Sequence, residues 1–250
     1  MRIHCAVAAL AGLCLTSVAF AAQAAEIKLL EGNALKAVMD ELGPQFEKSS
    51  GNTISATLGT SAQLKARIES GEPFDAVLLT KAALDDLAKQ GKVADAPRAG
   101  IAHAGIGVAI KKGAPKPDLS SVEAFKQAML NAKSIGYVDQ TPTGAALRVV
   151  FAKLGIADQM NPKLKPLTKQ AAVAVADGEV EIGMTQISEI LPYSGVELAG
   201  PLPADIQTYT VFAGGISAAA KNADAAAALI KFLTAPAAVS VIKAKGMDPG

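Results

Sequence analysis

Short apolar or β-branched runs alternate along this chain with longer segments whose apolar residues recur at helical spacing, and turn residues stand at the junctions. The short runs predict strands near 26–30, 53–58, 75–79, 103–110, 134–138, 181–185, 197–198 and 208–218. The longer segments predict helices near 34–49, 61–70, 81–90, 122–131, 144–154, 170–177, 188–191 and 223–233. Regular strand–helix alternation implies an α/β fold. Two long runs, around 105–110 and 208–216, break the rhythm, and each follows a Gly/Pro-bearing stretch ("APRAGIAHAG", "AGPLPADIQ"). Two such interruptions suggest two crossings between lobes. The first lobe would comprise 25–103 and 208–250, and the second 104–207, each within ordinary domain size.

The first 24 residues form a different pattern. Arg2 precedes an apolar run from Cys5 to Phe20, followed by the small-residue site Ala22-Gln23-Ala24. This predicts a cleaved secretory leader over 1–24, hence a free periplasmic protein. Both cysteines, Cys5 and Cys14, lie in that leader, so the mature chain would contain neither thiol nor disulfide. Setting Arg2 aside leaves 23 basic and 23 acidic side chains, dispersed along the chain. That balance argues against nucleic acid and anionic membranes as partners.

In a parallel sheet, ligands collect beyond the carboxyl ends of strands, where loops enter helix N-termini. Four such junctions are polar here: Leu30-Glu31-Gly32-Asn33, Leu58-Gly59-Thr60-Ser61, Asp139-Gln140-Thr141-Pro142-Thr143-Gly144 and Thr185-Gln186-Ile187-Ser188. Hydroxyls and amides beside free helix N–H groups can hold an anion without a metal. Thr60, Ser61, Thr143 and Ser188 would equally serve as helix caps. Arg67 and Arg148 follow two of the junctions and could grip a carboxylate, with Lys65 and Lys169 as further cations; each could equally lie on a solvated face.

Catalytic signatures are sparse. His103 is the sole histidine after the leader, no G-x-S-x-G or phosphate-cradling loop occurs, and carboxylates do not cluster at metal-ligand spacing. Neither a cofactor nor a metal is expected. Any proton chemistry would fall to a carboxylate such as Glu31, Asp139 or Glu189, to Tyr137, or to a lysine such as Lys65.

The segments "GTSAQLKARIESGEPFDAVLLT" (59–80), "PTGAALRVVFAKLGI" (142–156), "EIGMTQISEI" (181–190) and "FLTAPAAVSVIKAKGM" (232–247) resemble the molybdate-binding group of type-2 periplasmic solute-binding proteins. The resemblance covers essentially the whole mature chain. It implies a two-lobed α/β fold with a two-strand hinge, a small anionic ligand in the cleft, a membrane permease as partner and a monomeric state. Residue by residue, it places a binding hydroxyl on Thr60 or Ser61 and N–H donors at Thr143 and Thr168. The family's first-loop serine is replaced by Gly32-Asn33, and its oxyanion-binding tyrosine by Gln186. Asn33, Gln140, Thr141 and Gln186 offer acceptors as well as donors, which suits a small organic acid better than a bare oxyanion. A similar branch of this fold includes periplasmic aconitate isomerases, so the resemblance also admits proton-transfer chemistry on a tricarboxylate.

Overall fold

The computed structural model describes residues 24–94 and 99–250. The predicted leader up to residue 23 and part of the first crossing, 95–98, lie outside the described residues. Ten strands form one twisted, mixed sheet in the order β2-β1-β3-β9-β4-β7-β5-β6, with β8 and β10 both pairing on β4. In chain order these are β1 (Glu26–Gly32), β2 (Thr53–Gly59), β3 (Ala76–Thr80), β4 (Ala99–Lys111), β5 (Ile135–Tyr137), β6 (Leu164–Pro166), β7 (Ile182–Gln186), β8 (Val196–Pro201), β9 (Tyr209–Ile216) and β10 (Asp248–Pro249). The α-helices are α1 (Lys36–Ser50), α2 (Ser61–Glu69), α3 (Lys81–Lys89), α4 (Val122–Asn131), α5 (Pro142–Lys153), α6 (Ala157–Met160), α7 (Ala171–Ala176), α8 (Ala223–Leu233) and α9 (Val239–Ala244). The α/β expectation holds. Short elements too small to show periodicity, β6, β10, α6 and α9, escaped the sequence pattern, and the segment near 188–191 is a 3-10 turn over Ile187–Glu189.

β3 reads Ala-Val-Leu-Leu-Thr and is buried throughout, as a strand covered on both faces must be. Leu29, Leu78 and Ile101 pack on one face against Leu35, Val38 and Leu42 of the chain leading through α1, and against Leu229 and Leu233 of α8. Leu30, Val77 and Leu79 face Leu64 of α2 and Leu84 and Leu87 of α3. The other lobe has its own core, in which Phe125, Met129, Leu147 and Phe151 pack on Ile106, Val108, Ile135 and Met184.

β4 joins the two. Its Ala99–Gly105 half pairs antiparallel with β9, whereas Ile106–Ile110 pairs with β7 and Gly107–Lys111 with β8. At the changeover, Gln207 acts as a substitute strand residue: its amide N–H donates to the Ile106 carbonyl, and its carbonyl oxygen accepts from the Ile106 N–H, each at 2.9 Å. The hinge backbone therefore keeps its hydrogen bonds while changing partners.

Asp75 holds the chain's two ends together. One carboxylate oxygen accepts from the Lys28 N–H at 3.0 Å; the other accepts from the Lys221 and Asn222 N–H groups at 2.8 and 3.0 Å. Burial pushes its pKa up, but the hydrogen bonds prevail and hold it below the ordinary aspartate value. A depressed folded-state pKa means that this stabilisation is complete above the unfolded pKa and is lost as pH falls through the folded one. Asp75→Ala leaves three N–H groups without their acceptor and is expected to cost about 3 kcal/mol in urea unfolding at pH 7. Asp75→Asn keeps an acceptor and should cost less.

Candidate functional site

The carboxyl ends of β1, β2 and β7 and the loop after β5 meet around a cavity of about 470 Å³. Its lining includes Gly32, Asn33, Thr60, Ser61, Gln140, Thr141, Thr143, Arg148 and Gln186. An adjoining cavity of about 530 Å³ shares Asn33, Thr60, Gln140 and Thr141 and adds Thr168. Gly32, Asn33, Thr60, Ser61, Gln140, Thr141, Thr143, Arg148, Thr168 and Gln186 thus line two adjoining cavities that share part of their walls. Lys65, Asp139 and Glu189 border it too, and Lys169 lies on the adjoining part. Arg67 does not: it is an exposed partner of Glu72. His103 stacks edge-on against Tyr209 away from the cleft, and Tyr137 is packed in a core.

The capping expectation needs correction in detail. Thr60 does cap α2, its hydroxyl accepting from the Gln63 N–H at 3.2 Å while the Gln63 side chain bonds back to the Thr60 N–H. At α5, however, the cap is Thr141, which accepts from the Gly144 N–H at 3.2 Å. Pro142 opens the helix because its missing N–H is not needed there. Thr143 is thereby freed to face Gln186. Ser61 is the first residue of α2 and accepts from the Thr80 N–H at 3.1 Å. Ser188 lies buried within the 3-10 turn, and its hydroxyl has no partner. Gly144 is required by contact: a Cβ there would overlap the Val138 and Asp139 carbonyl oxygens.

Gln186 sits where the lobes meet. Its amide donates to the Thr143 hydroxyl at 3.1 Å and to the Thr210 hydroxyl of β9 at 3.0 Å. Thr210 was not anticipated, since a threonine in a strand carries no sequence signal for a cleft contact. The side chain is buried and its carbonyl oxygen lacks a partner.

The cations are already engaged. Arg148 pairs with Asp139, Lys65 with Glu69 at 2.8 Å, and Lys169 with Asp177 and Glu179 at 2.6 and 2.7 Å. These are exposed or half-exposed pairs, whose guanidinium and ammonium groups can still turn toward a ligand at small cost.

Two carboxylates behave unusually. Glu189 accepts a hydrogen bond from the Thr185 hydroxyl, and burial pushes its pKa up against the influence of that bond and of the Gln186 N–H. Glu31, behind the cleft wall and 3% exposed, is pushed up to about 7 by burial and then by Asp40, with Lys36 opposing. One of its oxygens has no hydrogen-bond partner. Tyr193 bonds to the Gln170 carbonyl; its pKa is raised by burial and by Glu189. Tyr193 stands at no strand-to-helix junction, and Gln170, which opens α7, was missed because the short strand before it, β6, escaped the sequence pattern. Among the described residues, no group of three or more His, Cys, Asp or Glu side chains could hold a metal ion.

Residues 27–248 match the family model for bacterial extracellular solute-binding proteins. An aconitate isomerase from a Pseudomonas species is 30% identical over 229 residues, covering 89% of this chain and 87% of that protein. The molybdate-binding protein ModA of Azotobacter vinelandii is 30% identical over 239 residues, covering 91% and 92%. The solved structure of an Azotobacter vinelandii periplasmic molybdate-binding protein superposes with a TM-score of 0.77 at 21% identity, over 90% of this chain and 99% of that one.

The raised pKa of Glu31 has a testable sign. An acid whose pKa is higher folded than unfolded destabilises the fold once pH exceeds the unfolded value, and fully so above the folded one. Between pH 4 and pH 8, the stability of the wild type relative to Glu31→Gln is expected to fall by about 3 kcal/mol. Parallel urea titrations of the two proteins across that range measure this difference.

Proposed function

The chain belongs to the bacterial extracellular solute-binding proteins, and from that premise we propose that it captures a small organic carboxylate in the periplasm and delivers it to an ABC-type membrane permease. The ligand lies in the cleft between the segments 25–103 with 208–250 and 104–207, which close over it about the β4 hinge. The leader over 1–24 directs export.

One observation carries the carboxylate reading: the cleft lining mixes acceptors with donors. A fully deprotonated oxyanion needs donors alone, yet Asn33, Gln140 and Gln186 contribute amide carbonyls, and Asp139 and Glu189 contribute carboxylates. An organic acid presents carboxylate oxygens to Arg148, Lys65 and the α5 N-terminus, and its carbon skeleton or hydroxyls to the rest. A cavity near 470 Å³ suits a molecule of a few to a dozen heavy atoms.

A second reading is favoured by Glu189. A half-buried carboxylate on the cleft wall, with its pKa raised by desolvation, has the attributes of a base able to move a proton between two carbons of a bound tricarboxylate. That would make the protein an isomerase of aconitate type.

Calorimetry against trans-aconitate, malate, succinate, molybdate and sulfate tests the first reading. A carboxylate is expected to bind with micromolar affinity, and Arg148→Ala to weaken it about tenfold or more through loss of charge-assisted bonds. Tighter binding of molybdate than of any carboxylate would overturn it. For the second reading, chromatography should show conversion of trans- to cis-aconitate that disappears in Glu189→Gln, and no conversion beyond the buffer blank would sink it.

A further inference from the structure

An anion-binding cleft that presents a half-buried carboxylate raises a problem of charge. Three acidic side chains, Asp86, Asp139 and Glu189, line the 470 Å³ cavity against two basic ones, Lys65 and Arg148. Both basic groups are paired already, Lys65 with Glu69 and Arg148 with Asp139. An entering polycarboxylate therefore meets no excess positive charge, and it meets Glu189, half-buried on the cavity wall, where the ligand itself displaces the water that would screen the two anions.

We propose that the ligand enters together with a proton, which Glu189 holds for as long as the anion is bound. The proton leaves a buffer acid and joins a Glu189 carboxylate oxygen, and the O–H so formed donates to a ligand oxygen; no bond in the ligand breaks. The inference rests on the capture of a small anion in the cleft and opposes the isomerase reading, because a Glu189 protonated beneath the ligand cannot act as its base.

The surroundings of Glu189 suit both protonation states. Thr185 donates its hydroxyl to one carboxylate oxygen when Glu189 is charged, and the same hydroxyl can accept when it is neutral. The charged groups that bear on Glu189 leave room for a proton. Tyr193, on its own segment, is neutral at pH 7 and donates to Gln170. Lys36, on α1, is bound at 2.6 Å to Asp40. Glu31, at the end of β1, is itself a raised acid. Across the cleft, Arg148 is held by Asp139, and Lys65 stands near Asp86 on the neighbouring helices. Lys169 is shared by Asp177 and Glu179, and Lys245 of the C-terminal segment is bound to Glu41. Among the described residues each of these cations already serves a carboxylate, and Arg148 and Lys65 turn toward the ligand when it enters, so the neutralisation of Glu189 falls to a proton.

Calorimetry of the purified protein with trans-aconitate, repeated at pH 7 and 8 in buffers of different ionisation enthalpy, reads the proton directly. The carboxyl groups of this probe ionise in the ordinary range near 4, so a proton taken up at these pH values belongs to the protein. Uptake approaching one proton per ligand is expected, with affinity falling by up to tenfold per pH unit on the alkaline side. Glu189→Gln, a permanently neutral donor, should bind with equal apparent enthalpy in every buffer and with no such slope. Binding of trans-aconitate without proton uptake overturns the inference and leaves the carboxylate reading intact. Proton-linked binding of molybdate alone keeps the inference and removes that reading. Absence of binding by trans-aconitate, succinate and molybdate removes both, and turnover of trans-aconitate that is lost in Glu189→Gln overturns the inference in favour of catalysis.

Discussion

Everything in this molecule is arranged about one strand that serves both halves of the sheet. The 13 residues of β4 pair with β9 over the first half and with β7 and β8 over the second, so both lobes take their register from a single backbone. A one-residue slip would turn Ile106, Val108 and Ile110 away from their core and dismantle the lobe that they anchor. Because the register is held, the ends of β1, β2 and β7 and the loop after β5 converge on the same space. The Gln207 amide lets the strand change partners without leaving a backbone group bare.

The cleft so formed is held by neutral groups more than by free charge. Its cations are paired on its rim, its helix starts are capped by Thr60 and Thr141, and its centre is crossed by the amide of Gln186 reaching Thr143 on one side and Thr210 on the other. Buried amide and hydroxyl contacts give direction and selectivity in a low-dielectric space, where each unmade bond is costly. The surface ion pairs contribute little to stability, but they keep Arg148 and Lys65 close to the opening. Against that background, Glu31, buried, and Glu189, half-buried, stand out as carboxylates whose pKa is raised by desolvation.

Much of the fold was legible. β3 declared itself by an unbroken apolar run and α2 by helical spacing behind Thr60 and Ser61, whereas α5, expected from 144, starts two residues earlier at Pro142. The polar junctions led to loops that line the 470 Å³ cavity, because strand ends on one side of a sheet open onto the same space. The individual roles were less legible. Thr143 looked like a cap and proved to be a cleft contact, while Thr141 two residues earlier does the capping. Arg67 and Arg148 were equivalent in sequence, yet one pairs outside the cleft and the other borders it, because helix phase decides which way a side chain faces. Asp75 carried no visible signal of its part in joining the first strands to the segment before α8, since its partners lie 47 and about 146 residues away in the chain.

By itself the sequence determined the local structure: alternating periods, caps and turn residues, and with them the α/β class and the set of loops that could bind an anion. These are short-range properties, set by the stereochemistry of neighbouring residues. Tertiary structure alone decided which side chains meet and how much water they keep. Glu189 is an ordinary glutamate in the sequence; desolvation on the cavity wall beside Thr185 turns it into an acid whose charge is expensive. The electrostatic free energy of a group depends on its distance from water and from other charges, and those distances exist only once the chain has folded.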